Sequence, residues 1–242
     1  MRRAPDVSVA PMGDSAVVVE LGTAIDEGVN ERVIALGEHI RRQAWPHVLD
    51  VVPSYCAVVL HFDARAVADS AEAYVASLQR RLLRAAAEAR AAAGSATGSD
   101  TPAGREFLLP VCYEGEYAPD MDEVSAATGL SPREIVVRHS GRTYRIHMLG
   151  FSPGFPYLGG LDASLQVPRR PAPRSEVPAG SVAIGGAQTG VYPTATPGGW
   201  NLIGRTPLKL FDPDRQPACL LKAGDRMRFV PISAAEFRQQ SQ

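Results

Sequence analysis

Short runs in which apolar and polar residues alternate open the chain, and stretches with helical spacing separate them. Asp6–Ala10 and Ser15–Leu21 read as strands joined by the turn signal Pro11-Met12-Gly13-Asp14. Asp26 reads as a helix N-cap, followed by Val29, Val33, Leu36 and Ile40 on one face. Val48–Val52 and Tyr55–Phe62 are β-branched apolar runs split by Pro53-Ser54, a predicted strand pair. A second helix is predicted from Arg65, with Val67, Ala71, Tyr74, Val75, Leu78 and Leu82 facing a core and an Ala- and Arg-rich tail over Ala85–Ala93. Strand, helix, two strands, helix is the order of a split βαβ unit, so residues 1–93 are expected to form a small, ferredoxin-like α/β domain.

Gly94–Gly104 (GSATGSDTPAG) is small, polar and rich in breakers, which predicts a linker. Beyond it Arg105–Tyr113 reads as a strand, and two short helices follow, the first ending at Gly129. The second opens on Ser131-Pro132-Arg133-Glu134, an N-cap with Pro at N1 and Glu completing a capping box. Arg142–Leu149, Pro207–Phe211 and Arg226–Pro231 read as further strands, the last preceded by the turn Ala223-Gly224-Asp225. Many short strands with turn signals between them predict a β-barrel or sandwich over residues 105–242, and an α+β chain as a whole.

Composition narrows the function classes. At 242 residues, 45% hydrophobic and 21% charged, the chain has material for two modest cores. A net charge of −1 supplies no field to recruit nucleic acid or an anionic membrane, so neither is expected as a partner. Cys56, Cys112 and Cys219 are odd in number and far apart, which argues against a disulfide framework or a zinc site and for a reducing cytoplasm. No apolar region follows the N-terminal arginines, and no apolar run reaches the ~18 residues of a membrane span.

One stretch, Gly150–Gly204, stands apart. It holds 11 of the 22 glycines and 8 of the 20 prolines, a density that elsewhere means disorder. Here Phe151, Phe155, Tyr157, Tyr192 and Trp200 are spread through it, so rigid loops between short strands are expected, and a functional surface. Gly150-Phe151-Ser152-Pro153-Gly154 matches the G-x-S-x-G nucleophile elbow, but Pro153 has no N–H for an oxyanion, Pro156 blocks the helix that must follow, and all five histidines precede the serine. Gly185 to Gly190 has the spacing of a phosphate-binding loop without its Lys-Ser/Thr. Backbone N–H groups at Gly185-Gly186 and Gly198-Gly199 form either an anion-binding nest or two hairpin turns. Arg174 and Arg205 are candidates to grip a carboxylate or phosphate through a bidentate fork, or else belong to surface ion pairs. Ser181, Gln188 and Thr189 offer neutral hydrogen bonds suited to an amide, and Tyr192 and Trp200 wall a pocket or fill a core. The stretch has no His or Cys and only Asp162 and Glu176 as acids, so a complete acid–base site from this chain alone is not expected. His139 and His147, outside it, read as core or surface histidines.

The runs Tyr144-Arg145, Met148 to Leu158, Pro173-Arg174, Val177 to Val182, Gln188 to Pro193 and Pro197 to Thr206 occur here in order. With Gly13-Asp14-Ser15-Ala16, Asp26, Asn30 and Lys222 to Pro231 they resemble the PxpB/KipI family, also called the 5-oxoprolinase B subunit or allophanate hydrolase subunit 1 (carboxyltransferase domain, subdomains C and D). Two features depart from that pattern: the Gly94–Gly104 insert, and His147 where an aromatic or small residue is usual. The resemblance implies a cyclophilin-like β-barrel for the second domain and association with a PxpC/KipA-type subunit. With that subunit and a PxpA-type protein it implies an ATP-dependent 5-oxoprolinase opening 5-oxo-L-proline to L-glutamate. ATP would be a co-substrate of the complex. The chain lacks the Met-Lys-Met site that carries biotin, and no metal is expected. Two other roles follow from the same likeness: inhibition of a sensor histidine kinase, and a carboxyltransferase-type subunit acting on urea- or allophanate-like amides. Under the leading reading, Phe151–Leu158, Gly180–Tyr192 and Pro197–Arg205 form one mouth, with Phe151, Phe155 and Tyr157 toward a partner. Arg174 and Arg205 then meet a carboxylate or ATP phosphate, and Gln188 the lactam amide.

Overall fold

The computed structural model describes residues 7–67, 70–95 and 104–241, with 89–95 by backbone alone, so the predicted start of the first strand at Asp6 lies outside it. Two compact units divide the chain, residues 1–103 and 104–242.

The first unit runs β1 (Ser8–Pro11), β2 (Ala16–Glu20), α1 (Glu27–Gln43), β3 (Val48–Pro53), β4 (Ala57–Phe62) and α2 (Ala71–Ser95). Its antiparallel sheet has the order β1-β2-β4-β3, so β4 lies between the strands that α1 connects, as in a split βαβ unit. Asp26 caps α1 by accepting the Val29 N–H at 2.9 Å. Val33, Leu36 and Ile40 of α1 meet Leu78 and Leu82 of α2, and Val17, Val19, Val58 and Leu60 of the strands, in one core.

The second helix begins at Ala71, not at Arg65 as its apolar spacing predicts. The Asp63 carboxylate accepts the Arg65 and Ala66 N–H groups at 3.0 and 3.2 Å, a local turn that competes with helix. Val67 is still buried, which is why the spacing included it. At its far end α2 takes in Gly94 and Ser95, so the first two residues of the predicted linker are helical, and residues 96–103 lie outside the description.

The second unit contains β5 (Glu106–Cys112), α3 (Met121–Thr128), α4 (Pro132–Ser140), β6 (Thr143–Leu149), β7 (Pro156–Gly159), β8 (Arg174–Val177), β9 (Ser181–Gly185), β10 (Gln188–Val191), β11 (Thr196–Gly198), β12 (Asn201–Arg205), β13 (Arg226–Ile232) and α5 (Ala234–Gln240). Seven strands close into a barrel in the order β10-β7-β6-β13-β5-β12-β9, and β8 and β11 form a separate ribbon. β13 runs parallel to β5, and the other barrel pairs are antiparallel. The predicted capping box of α4 is present, and Gly129 closes α3 in the left-handed conformation. Leu109, Val111, Tyr144, Ile146, Ile184 and Phe229 are among the side chains that fill the barrel, and α4 adds Ile135. Among the described residues no helix is long and apolar enough to cross a membrane.

Pro207–Phe211 is not a strand. β12 stops at Arg205, and of the following segment only Phe211 bridges, to Cys219. Two backbone bonds make that bridge, Asp212 N–H to the Ala218 carbonyl and Leu220 N–H to the Leu210 carbonyl, and the Arg215 guanidinium donates to the carbonyls of Lys209, Leu210, Pro217 and Ala218 around it.

Candidate functional site

Every residue of β9 is buried, because the strand has cores on both faces. Val182 and Ile184 point into the barrel, while Ala183 points outward beside Leu202 of β12. On that outer face Phe155, Val177, Tyr192 and Trp200 close a second, smaller cluster with Tyr157 against it. Phe155 is its hub, edge-on to Tyr157, Tyr192 and Trp200 at ring distances of 5.0, 5.3 and 5.7 Å. The glycines of the stretch serve this packing. A Cβ on Gly185 would stand 2.8 Å from the Trp200 ring, and one on Gly190 2.8 Å from Phe155. Only bare backbone lets the rings lie so close.

The cluster is the floor of an open cleft of about 300 Å³, near the small end of ligand pockets. Phe151, Tyr157, Tyr192 and Trp200 supply aromatic walls, Pro173 and Pro197 the sides, and Arg169 and Arg170 the charge. The Arg169 guanidinium lies 5.8 Å from the Trp200 ring centre, within cation–π reach. Burial raises the Tyr192 phenol above its ordinary value, so it stays protonated and a hydrogen-bond donor. The cleft thus offers flat apolar faces, phenol hydroxyls and two cations. That combination suits a small flat molecule carrying one negative charge.

Arg170 is held from behind. Asp120, 1% exposed, accepts Arg170 Nη1 at 2.9 Å and Arg174 Nη2 at 2.6 Å on one oxygen, and the Leu202 N–H at 2.6 Å on the other. Two guanidiniums on one carboxylate leave a net positive charge beside the cleft. Arg170 Nε and Arg174 Nη1 are buried and have no protein partner among the described residues.

Of the residues the sequence singles out, Phe151, Phe155, Tyr157, Tyr192, Gly198, Gly199 and Trp200 come together at this cleft. Arg174 stands one step outside, on Asp120. Gly185 lies under Trp200, and Gln188 opens β10 opposite it. Gly186, at φ 61°, spends its N–H on the Val167 carbonyl at 2.7 Å, so this pair is a hairpin turn and not a nest. Ser181 and Arg205 pair with each other at the far end of β9 and β12, roughly 17 Å of strand from Trp200. Arg205 donates from Nε to the Ala179 carbonyl at 2.8 Å and lines a separate, shallow cleft with Lys209 and Arg238. Gly180 and Ser181 are hydrogen-bonded to the backbone of Tyr192, which lines the aromatic cleft, so within the predicted mouth it is Arg205 that opens on a different cleft. Arg169, Arg170 and Asp120 were not foreseen, although Val167–Arg174 (VPRRPAPR) crowds three arginines with no acid among them.

A model of the family described as carboxyltransferase domain, subdomain C and D, matches residues 7–221. The chain belongs to this family. Among carboxyltransferase subdomain C and D relatives, the 5-oxoprolinase B subunit of Bacillus subtilis (strain 168) is 40% identical over 230 residues, 95% of this chain and 94% of that protein. The 5-oxoprolinase B subunit of Escherichia coli O157:H7 is 42% identical over 222 residues, 91% and 94% of the two. The crystal structure of TTHA0988 matches with a TM-score of 0.73 at 36% identity over 91% of this chain, which spans 40% of that longer one.

Within this carboxyltransferase-type barrel His139 and His147, expected in the core or on the surface, are both buried. His139, on the last turn of α4, is neutral, its pKa lowered to about 3 by burial. Thr189 Oγ1 donates to the Ala183 carbonyl at 3.0 Å, so it accepts His139 Nε2–H at 2.9 Å, and Nδ1 accepts the Tyr113 hydroxyl at 2.8 Å. Thr189 is thereby occupied in the core and offers nothing to an amide ligand. Among the described residues no three His, Cys, Asp or Glu side chains gather as metal ligands.

Proposed function

We propose that this chain is the B-type component of an ATP-dependent 5-oxoprolinase, opening 5-oxo-L-proline to L-glutamate with a PxpC-type and a PxpA-type partner. The observation that carries the reading is the end-to-end match to two proteins named as the B subunit of 5-oxoprolinase, at 40% and 42% identity. The cleft supports it in chemistry. A five-membered lactam is close to flat and would lie over the floor that Tyr192, Phe155 and Trp200 form, with Arg169 and Arg170 at the rim for its carboxylate.

A lactam carbonyl is a poor electrophile. Transfer of the ATP γ-phosphoryl group to its oxygen releases ADP and makes that oxygen a leaving group. Water then adds to the carbon, the C–N bond breaks as the nitrogen takes a proton and leaves an acyl phosphate, and a second water hydrolyses that to the carboxylate and free phosphate. The residues that line the cleft include no Asp, Glu, His or Cys, so in this reading the groups that move those protons come from a partner. This chain binds and orients the ring.

The test is reconstitution. With all three proteins present, 5-oxoproline-dependent ADP release is expected, and none from this chain alone. Arg170→Ala should raise KM for 5-oxoproline ten- to hundred-fold, the loss of one charge-assisted contact of about 1.5–3 kcal/mol. A complete set of folded proteins that releases no ADP in response to 5-oxoproline would show the reading to be wrong.

A further inference from the structure

Phe151 sits in the β6–β7 connection at φ 68°. The Ser152 N–H donates to the Gly150 carbonyl at 2.8 Å, closing a three-residue turn around it. A γ-turn with positive φ is rare and strained, and a bulky side chain at its centre is worse placed than glycine. The loop is pinned from both sides: Gly150 N–H donates to the Phe155 carbonyl at 3.1 Å, and Phe155 N–H to the Ser152 carbonyl at 3.0 Å. Glycines stand at 150 and 154, yet the strained position carries phenylalanine.

The ring gains little in return from the free chain. It is 63% exposed at the lip of the cleft, edge-on to Phe155 at 5.5 Å and to Tyr192 at 6.3 Å. Beside it the Ser152 hydroxyl is buried with no protein partner among the described residues, a second unfavourable feature in the same turn. Leu108 and Val137 of this unit are also exposed, but they lie on a regular strand and a regular helix. Among the described residues, strain and the exposure of a large apolar side chain coincide only at Phe151, and there at the mouth of a cleft. Strain of this kind persists where the surrounding structure enforces it, and it clusters at ligand clamps.

We propose that Phe151 is a ligand-gripping residue whose ring covers the outer face of the molecule bound in the aromatic cleft. The strained turn holds it over the mouth, and the bound ring supplies the burial that the free chain lacks. Water is then excluded from the outer face of the ligand, while Trp200 and Tyr192 cover the inner one. This role rests on the reading of the cleft as the site of a small flat carboxylated amide. It adds a specificity element at the lip of the cleft.

Binding of 5-oxo-L-proline to the full chain, followed by calorimetry, and thermal unfolding of the same samples test it together. Phe151→Ala is expected to weaken binding at least ten-fold while leaving Tm within about 3 °C, since the ring is mostly exposed. Phe151→Gly should bind as weakly but melt at or above Phe151→Ala, because glycine accepts positive φ. Phe151→Tyr should restore binding. A fall in Tm of about 8 °C or more alongside lost binding would make Phe151 a packing residue and overturn the role. Unchanged binding in Phe151→Ala overturns it too, and leaves the cleft reading intact. If the wild-type chain itself does not bind 5-oxoproline, the cleft reading falls and this role with it.

Discussion

Asp120 shows how much of the site depends on one side chain. Its carboxylate accepts three N–H groups and ties Arg170, Arg174 and the backbone of Leu202 together, although the arginines lie 50 and 54 residues further on. Removing it leaves two guanidiniums without a counter-charge and a buried N–H without an acceptor. A fully buried pair broken this way costs roughly 3–5 kcal/mol. Arg170 and Arg174 are 31% and 26% exposed and can turn to water, so about 3 kcal/mol is the expected loss for Asp120→Ala. Urea unfolding should show a lower midpoint with an unchanged slope, and an unshifted midpoint would mean the clamp contributes nothing. At this scale the sequence was half legible. The aromatics of the cleft announce themselves, because five large rings in a Gly/Pro-rich stretch need a cluster to join. Asp120 does not, since it precedes α3 as an ordinary N-cap would and its partners are set by the closing of the barrel. Arg205 misled for the same reason, being near Trp200 in sequence and a strand's length away in space.

Elements were the most legible scale where local chemistry decides them, as at the Asp26 cap, the Ser131–Glu134 box and Gly129. They were least so where a side chain overrides the pattern, as Asp63 does before α2. α4 adds a consequence that no periodicity carries. It delivers His139 into the barrel core, where Tyr113 and Thr189 hold the neutral ring. The folded pKa, about 3, lies below the unfolded value of 6.5, so the unfolded chain takes up a proton first as pH falls. The stability this histidine provides is complete above pH 6.5 and is lost progressively toward pH 3. The full span is on the order of 5 kcal/mol, and about 2–3 kcal/mol is gone at pH 4.5. Urea titrations at pH 7 and 4.5 should therefore differ by that amount in the wild type. In His139→Gln, which cannot titrate, the difference should shrink to what the carboxylates contribute. Equal pH sensitivity in the two proteins would place the acid-labile group elsewhere.

At the scale of the whole molecule, the split βαβ order of the first unit and the run of short strands in the second were enough to predict the α+β class. The strand pattern left barrel and sandwich open, and the family resemblance pointed to the barrel that the seven strands close; what no local pattern specifies is the parallel return of β13 to β5 across 120 residues of chain. Each unit nonetheless completes its own core. Among the described residues the first draws on residues between Val7 and Ala86, and the barrel and its aromatic annex on residues from Phe107 to Phe229. Every residue of the cleft, the Asp120 clamp and the Phe151 turn belongs to the second unit. A fragment of residues 104–242 is accordingly expected to fold with a cooperative transition, since domains with closed cores of this size are independent folding units. It should also bind 5-oxo-L-proline within about three-fold of the full chain, a difference of ~0.6 kcal/mol. The complementary fragment, residues 1–103, should not bind it. A folded barrel fragment whose affinity falls ten-fold or more would mean that the first unit shapes the cleft, and the ligand site would have to be rebuilt with residues from both.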